Sequence, residues 1–266
     1  LINISLRSFL LYYDSRKEFS VPHFFINSES CSNDCITVND KETYNHIAKS
    51  LRAKKGERLL FIDEKQIQYE TIITEISSEN IKAEVKKQYK SQRNLAFDLY
   101  LAQSPLRSDA QSFVIEKATE LGVKGVYPII TDNCALNKDV IQKKIPRWNR
   151  LMMEASKQCE RASIPQTYDF VKLEEIYNKF DKVIAFCERS AVKTLKDFFN
   201  ETPVKESESM LVIIGPEGGF SEREFEFFKE KSIPMVTLGN LILKAETAVT
   251  VALGNIVYEF ENYRKN

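Results

Sequence analysis

The chain has 266 residues, 43% of them hydrophobic and 29% charged, enough to bury the core of one large or two ordinary domains. Lysines and arginines balance aspartates and glutamates, 38 against 38, which excludes a histone-like basic coat and leaves any nucleic-acid contact to local patches. Five cysteines form no CxxC pair and only His23 and His46 accompany them, a composition that argues against a metal site and fits reduced thiols in the cytoplasm.

Within residues 1–20, the stretch 1–13 is apolar but interrupted by Arg7. No basic stretch precedes the apolar run and no small-residue cleavage site follows, so the segment reads as an N-terminal extension, with an organelle-targeting peptide as the alternative. No apolar run anywhere approaches the length of a membrane span. Residues 21–90 read as β-rich, with strands at 57–62, 66–76 and 81–85 separated by polar turns at 63–65 and 77–80. That is a meander suited to a small barrel. The basic stretch 86–93 then reads as a solvated linker between domains, or as an RNA-facing segment.

From residue 94 to 266 the elements alternate: strand 95–103, helix 109–121, strand 125–131, helix 138–160, strand 182–187, helix 191–200, then two strand–loop–helix units. Alternation with almost continuously apolar strands predicts an α/β domain with a mainly parallel sheet. Helix 109–121 has Ser108 or Asp109 to cap its start and Gly122 at its end. Helix 138–160 carries a core stripe of Trp148, Leu151, Met152, Ala155 and Cys159. A second stripe, Arg147, Arg150, Glu154, Gln158 and Arg161, repeats at i, i+3, i+7, i+11 and i+14. Its arginines suit phosphates and Gln158 suits a base edge; the alternative is a solvated face with Arg150 and Glu154 paired at i, i+4.

The two final units carry the candidate ligand site. In the first, the apolar run 210–214 leads into Gly215-Pro216-Glu217-Gly218-Gly219-Phe220-Ser221, where glycines let a ligand approach the backbone and Ser221 with Glu224 forms a capping box for helix 222–231. In the second, strand 234–238 turns at Gly239 into a helix from Ala245, with an apolar stripe at Ala248, Val249, Ala252, Leu253, Ile256, Val257 and Phe260. Neither a GxGxxG fingerprint nor a Walker lysine is present, which disfavours NAD and ATP. The glycine loop by itself also fits an ordinary strand–turn–helix corner, and Glu246 by itself fits an acid complementing a helix dipole.

Together the two units resemble the cofactor loops of the SPOUT methyltransferases, specifically the RsmE family that methylates N3 of a uridine in 16S ribosomal RNA. The family pattern Ile-Gly-Pro-Glu-Gly-Gly-Phe-Ser is matched fully at 214–221. The second pattern, Leu-Gly-x-Arg-Ile-Leu-Arg-x-Glu-Thr-Ala, is matched at Leu238-Gly239, Ile242-Leu243 and Glu246-Thr247-Ala248, with Leu241 and Lys244 where the family has arginines. Upstream, residues 117–123 are similar to the family's Lys-Ala-Thr-Glu-Leu-Gly-Val helix end, and Arg150, Glu154-Ala155, Gln158, Arg161 and Ile164-Pro165 fit its next helix.

The resemblance implies a PUA-like β-barrel RNA-binding domain over 21–90 and a SPOUT methyltransferase domain over 94–266 with a deep trefoil knot, in a homodimer that modifies 16S rRNA of the small subunit. It implies S-adenosyl-L-methionine as cofactor, held by Ile214, Gly215, Glu217, Gly218, Gly219, Leu238, Gly239, Ile242, Leu243, Ala245 and Thr247. Arg52, Arg147, Arg150, Gln158 and Lys244 are the expected RNA contacts. With no histidine in the C-terminal domain, the proton goes to a carboxylate, to water, or to no dedicated group at all. Glu246 is the first candidate and Glu120 the second, with Arg161 placed to stabilise negative charge on the uracil oxygens. Two other functions fit the sequence: a SPOUT enzyme acting elsewhere on RNA, such as a ribose 2′-hydroxyl, and a non-catalytic ribosome-assembly factor, motivated by Leu241 and Lys244.

Overall fold

The computed structural model describes residues 21–91, 94–188, 191, 193–203 and 205–263. The extension read at 1–20 lies outside them. The chain divides into two compact units, residues 1–92 and 93–266.

The first unit is one six-stranded sheet made of β1 (His23–Phe25), β2 (Cys31–Ser32), β3 (Cys35–Val38), β4 (Arg58–Ile62), β5 (Ile67–Ile76) and β6 (Ile81–Lys90). Its order is β1-β4-β5-β6-β3-β2, antiparallel except for the β1–β4 pair. A short helix, α1 (Lys41–Asn45), is capped by Asp40, whose carboxylate accepts the Thr43 N–H at 2.8 Å. Phe24, Ile36, Ile47, Leu59, Phe61, Ile73 and Ile81 form the core.

The reading of 86–93 as a linker needs correcting, because residues 86–90 are strand. β6 runs on to Lys90 and pairs with β5, Lys87 opposite Glu70 and Lys90 opposite Ile67. A ladder needs only backbone donors and acceptors, so exposed lysines extend it as well as valines do, and cross-strand pairs such as Lys87 with Glu70 at 3.8 Å suit that face. Sequence alternation stops where burial stops, five residues before the strand does.

The second unit is a seven-stranded, wholly parallel sheet of order β11-β13-β10-β12-β7-β8-β9. Its strands are β7 (Asp98–Gln103), β8 (Gly125–Pro128), β9 (Gln166–Thr167), β10 (Lys182–Phe186), β11 (Lys193–Thr194), β12 (Ser209–Ile214) and β13 (Met235–Thr237). The helices are α2 (Ser108–Glu120), α3 (Lys138–Gln158), α4 (Leu173–Ile176), α5 (Leu195–Glu201), α6 (Glu222–Glu230) and α7 (Ala245–Tyr263). The expected parallel α/β architecture is therefore present. β9, α4 and β11 are too short for a periodic signal and were not foreseen.

Burial on both faces explains the unbroken apolar strands. Leu99, Leu101, Ile184, Phe186, Met210, Val212 and Ile214 point to one face and pack with α2, α3, α5 and the stripe of α7. Their neighbours Ala102, Ala185, Leu211 and Ile213 point to the other and meet Leu173, Ile176, Phe228 and Ile233. At about 1.5–3 kcal/mol for each large side chain fully buried, these two layers fix the sheet and hence the loops at its carboxyl edge. No helix among the described residues is long and apolar enough to cross a membrane, and none of their His, Cys, Asp and Glu side chains cluster in threes able to hold a metal.

Candidate active site

At the carboxyl ends of β10 and β12 the sheet opens into a cleft of about 780 Å³. Ligands in open parallel sheets bind at this edge, where loops run out of the strands toward helix N-termini. One wall is the glycine loop, contributing Ile214, Gly215, Glu217, Gly218 and Gly219. The facing wall is Ile242, Leu243, Lys244, Ala245 and Glu246, leading into α7. The structure thus brings together ten residues singled out from two sequence segments.

The glycines have distinct local causes. Gly219 lies at φ +68° and Gly239 at φ +139°, and a Cβ at either would meet nothing within 4 Å. Both positions therefore need glycine for backbone conformation, and both leave open space beside the main chain. Thr237 holds the second turn, its Oγ1 donating to the Gly239 carbonyl at 2.8 Å and accepting the Gly239 N–H at 3.1 Å.

The glycine loop is tied to the segment that follows β8. Asn133 Nδ2 donates to the carbonyls of Gly218 and Gly219 at 3.3 and 3.1 Å. Asp132 accepts from Ser221 Oγ at 2.5 Å and from Arg223 at 2.5 and 3.1 Å. Those bonds hold its carboxyl below the usual carboxylate range, the Arg223 contact first. Buried Glu224 closes the foreseen capping box on the Ser221 N–H at 2.8 Å and also accepts the Asp132 N–H at 3.0 Å. Neither Asp132 nor Asn133 was singled out from sequence; the one available signal was their place just beyond a parallel strand.

Other expected site residues fall outside the cleft walls. Leu238 packs on the main core and Thr247 is exposed on the first turn of α7. Glu120 is exposed and paired with Lys117 at 2.8 Å. Arg161 corrects the sequence reading most clearly. The extrapolated stripe places it on the exposed face with Arg147, Arg150 and Gln158, which are exposed on α3, but α3 ends at Gln158 and Glu160 at φ +56° turns the chain inward. Arg161 is 6% exposed, and its guanidinium donates to the carbonyls of Thr119 and Val123 at 2.8 Å each and of Gly122 at 3.4 Å. Burial pushes its pKa down to about 10, so it stays charged at neutral pH and spends that charge on carbonyls of the last turn of α2 and of the turn that follows it.

The cleft also contains Phe186, Cys187, Glu188 and Phe220. Burial raises the Cys187 thiol to about 12, which makes it a small apolar wall and not a nucleophile. Leu241 and Ile242 are 77% and 66% exposed at the rim, so Leu241 does not replace the family arginine by being buried. In the first unit Arg52 is exposed, at φ +53°.

Comparison with known proteins places this geometry. Residues 93–257 match the RNA methyltransferase domain model and residues 38–86 the RNA methyltransferase PUA domain model. Ribosomal RNA small subunit methyltransferase E of Mesomycoplasma hyopneumoniae is 30% identical over 237 residues, covering 86% of this chain and 96% of the relative. The chain belongs to the ribosomal RNA small subunit methyltransferase E family. The Bacillus subtilis member is 26% identical over 230 residues, covering 84% of this chain and 90% of its own length. The structure of the Neisseria gonorrhoeae member bound to S-adenosyl methionine superposes with a TM-score of 0.77 at 24% identity, covering 89% of this chain and 96% of that one. The matched methyltransferase domain, residues 93–257, takes in all seven strands of the parallel sheet.

Proposed function

We propose that the chain transfers the methyl group of S-adenosyl-L-methionine to N3 of a uridine in 16S ribosomal RNA, working as a homodimer on the small subunit. The same reading takes residues 21–90 as a closed PUA-like barrel and the C-terminal loops as a trefoil knot. The observation that carries it is the meeting of the glycine loop and the 242–246 segment across one cleft at the sheet's carboxyl edge. The residues fit the cofactor: Gly219, whose missing Cβ leaves open space in the cleft, apolar Ile214, Ile242 and Leu243, and the carboxylates of Glu188, Glu217, Glu222 and Glu246 for a cationic ligand.

The cofactor supplies an already activated methyl group on a sulfonium. What the protein adds is alignment, an effect worth about 7–11 kcal/mol when geometry is ideal. The glycine loop and the Gly239 turn orient the donor through backbone groups held by Asn133, Asp132 and Thr237. Glu246, on the first turn of α7 and in the cleft wall, is the carboxylate placed to accept the N3 proton. Lys244, exposed beside it, offers charge to phosphate or uracil oxygen. Arg147, Arg150 and Gln158 form an exposed polar face on α3 for RNA, and Arg52 a second point in the first unit.

The test is incubation of the protein with labelled S-adenosylmethionine and undermodified small ribosomal subunits, followed by mapping of the labelled nucleoside. Label at uridine N3 is expected. Label on a ribose 2′-oxygen or another base would overturn the acceptor assignment, and no label with intact RNA binding would favour an assembly factor.

A further inference from the structure

We infer that Asn133 is a positioning residue for the methyl donor, acting through the glycine loop that it holds; this rests on the cofactor reading proposed above. Its amide donates to two successive carbonyls, Gly218 at 3.3 Å and Gly219 at 3.1 Å. Two successive carbonyls drawn to one side chain fix the orientation of the peptide planes between them. Because a trans peptide sets its N–H opposite its C=O, anchoring the Gly219 carbonyl turns the Phe220 N–H away from Asn133. Anchoring the Gly218 carbonyl likewise sets the Gly219 N–H, which closes a turn onto the Pro216 carbonyl at 3.0 Å.

The same contact explains a glycine that the ligand does not. A Cβ at Gly218 would lie 3.0 Å from Cβ of Asn133, whereas one at Gly219 would meet nothing within 4 Å. Gly218 is thus a close-approach site for the anchoring side chain, and Gly219 is the position open beside the backbone. Gly219 would otherwise have wide conformational freedom, so a loop with adjacent glycines needs an external anchor to present one arrangement of donors. The neighbouring residue, Asp132, holds the far end of the loop at Ser221 and Arg223. The segment after β8 therefore holds the second half of the donor loop, Asp132 where the loop enters α6 and Asn133 at the two adjacent glycines.

The experiment measures S-adenosylmethionine affinity by calorimetry on the full chain, with Asn133→Ala and the isosteric Asn133→Asp, alongside thermal midpoint and small-subunit RNA affinity without cofactor. Loss of two hydrogen bonds is expected to weaken cofactor binding about ten-fold in Asn133→Ala. Asn133→Asp should weaken it more, since a carboxylate faces two carbonyl oxygens with no proton to donate. RNA affinity should stay within about two-fold of the wild type, well short of the ten-fold loss expected for the cofactor. Equal cofactor affinity in wild type and both folded variants would overturn the inference. So would a loss of RNA and cofactor binding together in step with a lowered midpoint, which marks a purely structural role. Wild-type protein that binds no S-adenosylmethionine would instead overturn the cofactor reading itself.

Discussion

Replacing Arg161 with alanine separates the two tasks that sequence and structure give this residue. The side chain is 6% exposed and makes two 2.8 Å hydrogen bonds and one of 3.4 Å, to carbonyls of the last turn of α2 and of the turn after it. Hydrogen bonds from a charged donor contribute about 1.5–3 kcal/mol each. Burying the guanidinium is itself costly, as its lowered pKa of about 10 indicates, so the lower figure applies to the two short bonds. The loss is then about 3 kcal/mol. For a unit the size of residues 93–266 each kcal/mol moves the thermal midpoint by about 2–4 °C, which gives a fall of about 6–12 °C. Arg161→Lys should recover little of it, since an ammonium lacks the planar fork that reaches three carbonyls.

The assay is thermal unfolding followed by circular dichroism, with turnover measured well below the variant's midpoint. Turnover per folded molecule should change by less than ten-fold. If the midpoint stays within about 2 °C of wild type, less than 1 kcal/mol on the same scale, while turnover collapses, the helix-end reasoning is wrong. Arg161 would then face the reacting base, as the family resemblance implies.

Four other outcomes follow from the same geometry. Gly219→Val should abolish S-adenosylmethionine binding in calorimetry, through strain of about 1–2 kcal/mol at φ +68° and through filling the space beside the backbone; Gly219→Asn, which tolerates that conformation, should lose affinity with less loss of stability. Arg150→Ala should leave cofactor affinity intact and reduce the log–log salt slope of single-stranded RNA binding by about 0.7 for the lost phosphate contact, an unchanged slope returning it to a solvated face. Leu241→Arg should raise RNA affinity or turnover without moving the thermal midpoint, because the side chain is 77% exposed; a lowered midpoint would show that the loop packs elsewhere. Cys187, with its thiol raised to about 12, should resist alkylation in the native protein at pH 8, where about one molecule in ten thousand is thiolate, and react only as the pH rises toward that value or the chain unfolds.

Most of the candidate cleft was legible because its parts are local. A buried parallel strand, a glycine turn and a capped helix each leave a mark within ten residues, and Ser221 with Glu224 closes the box that its spacing foretells. β6 was misjudged for the opposite reason. Its last residues are exposed and held chiefly by the backbone ladder, so their lysines carry no apolar alternation that would reveal it. Contacts across the chain were invisible on the same ground: Asn133 stands 85 residues from Gly218 in sequence, and no periodicity links them.

Arg161 shows how a correct pattern fails one step beyond its element. The stripe from Arg147 through Gln158 holds for as long as the helix does, and each member is exposed as helical spacing requires. The next member lies past a cap at Cys159 and a left-handed Glu160, so its direction is set by the loop. Once the helix has ended, an arginine three residues on can reach carbonyls that a helical one would have faced away from. What the stripe supports for RNA therefore ends at Gln158. In the reaction we propose, cationic help for the reacting base falls to Lys244, which lines the same cleft as Glu246. A lysine there keeps the charge that the family's arginine carries but not its fork. Leu241, 77% exposed three residues before Lys244, leaves open the space in which an arginine side chain would reach solvent and RNA phosphate, so the loop accepts that substitution without repacking.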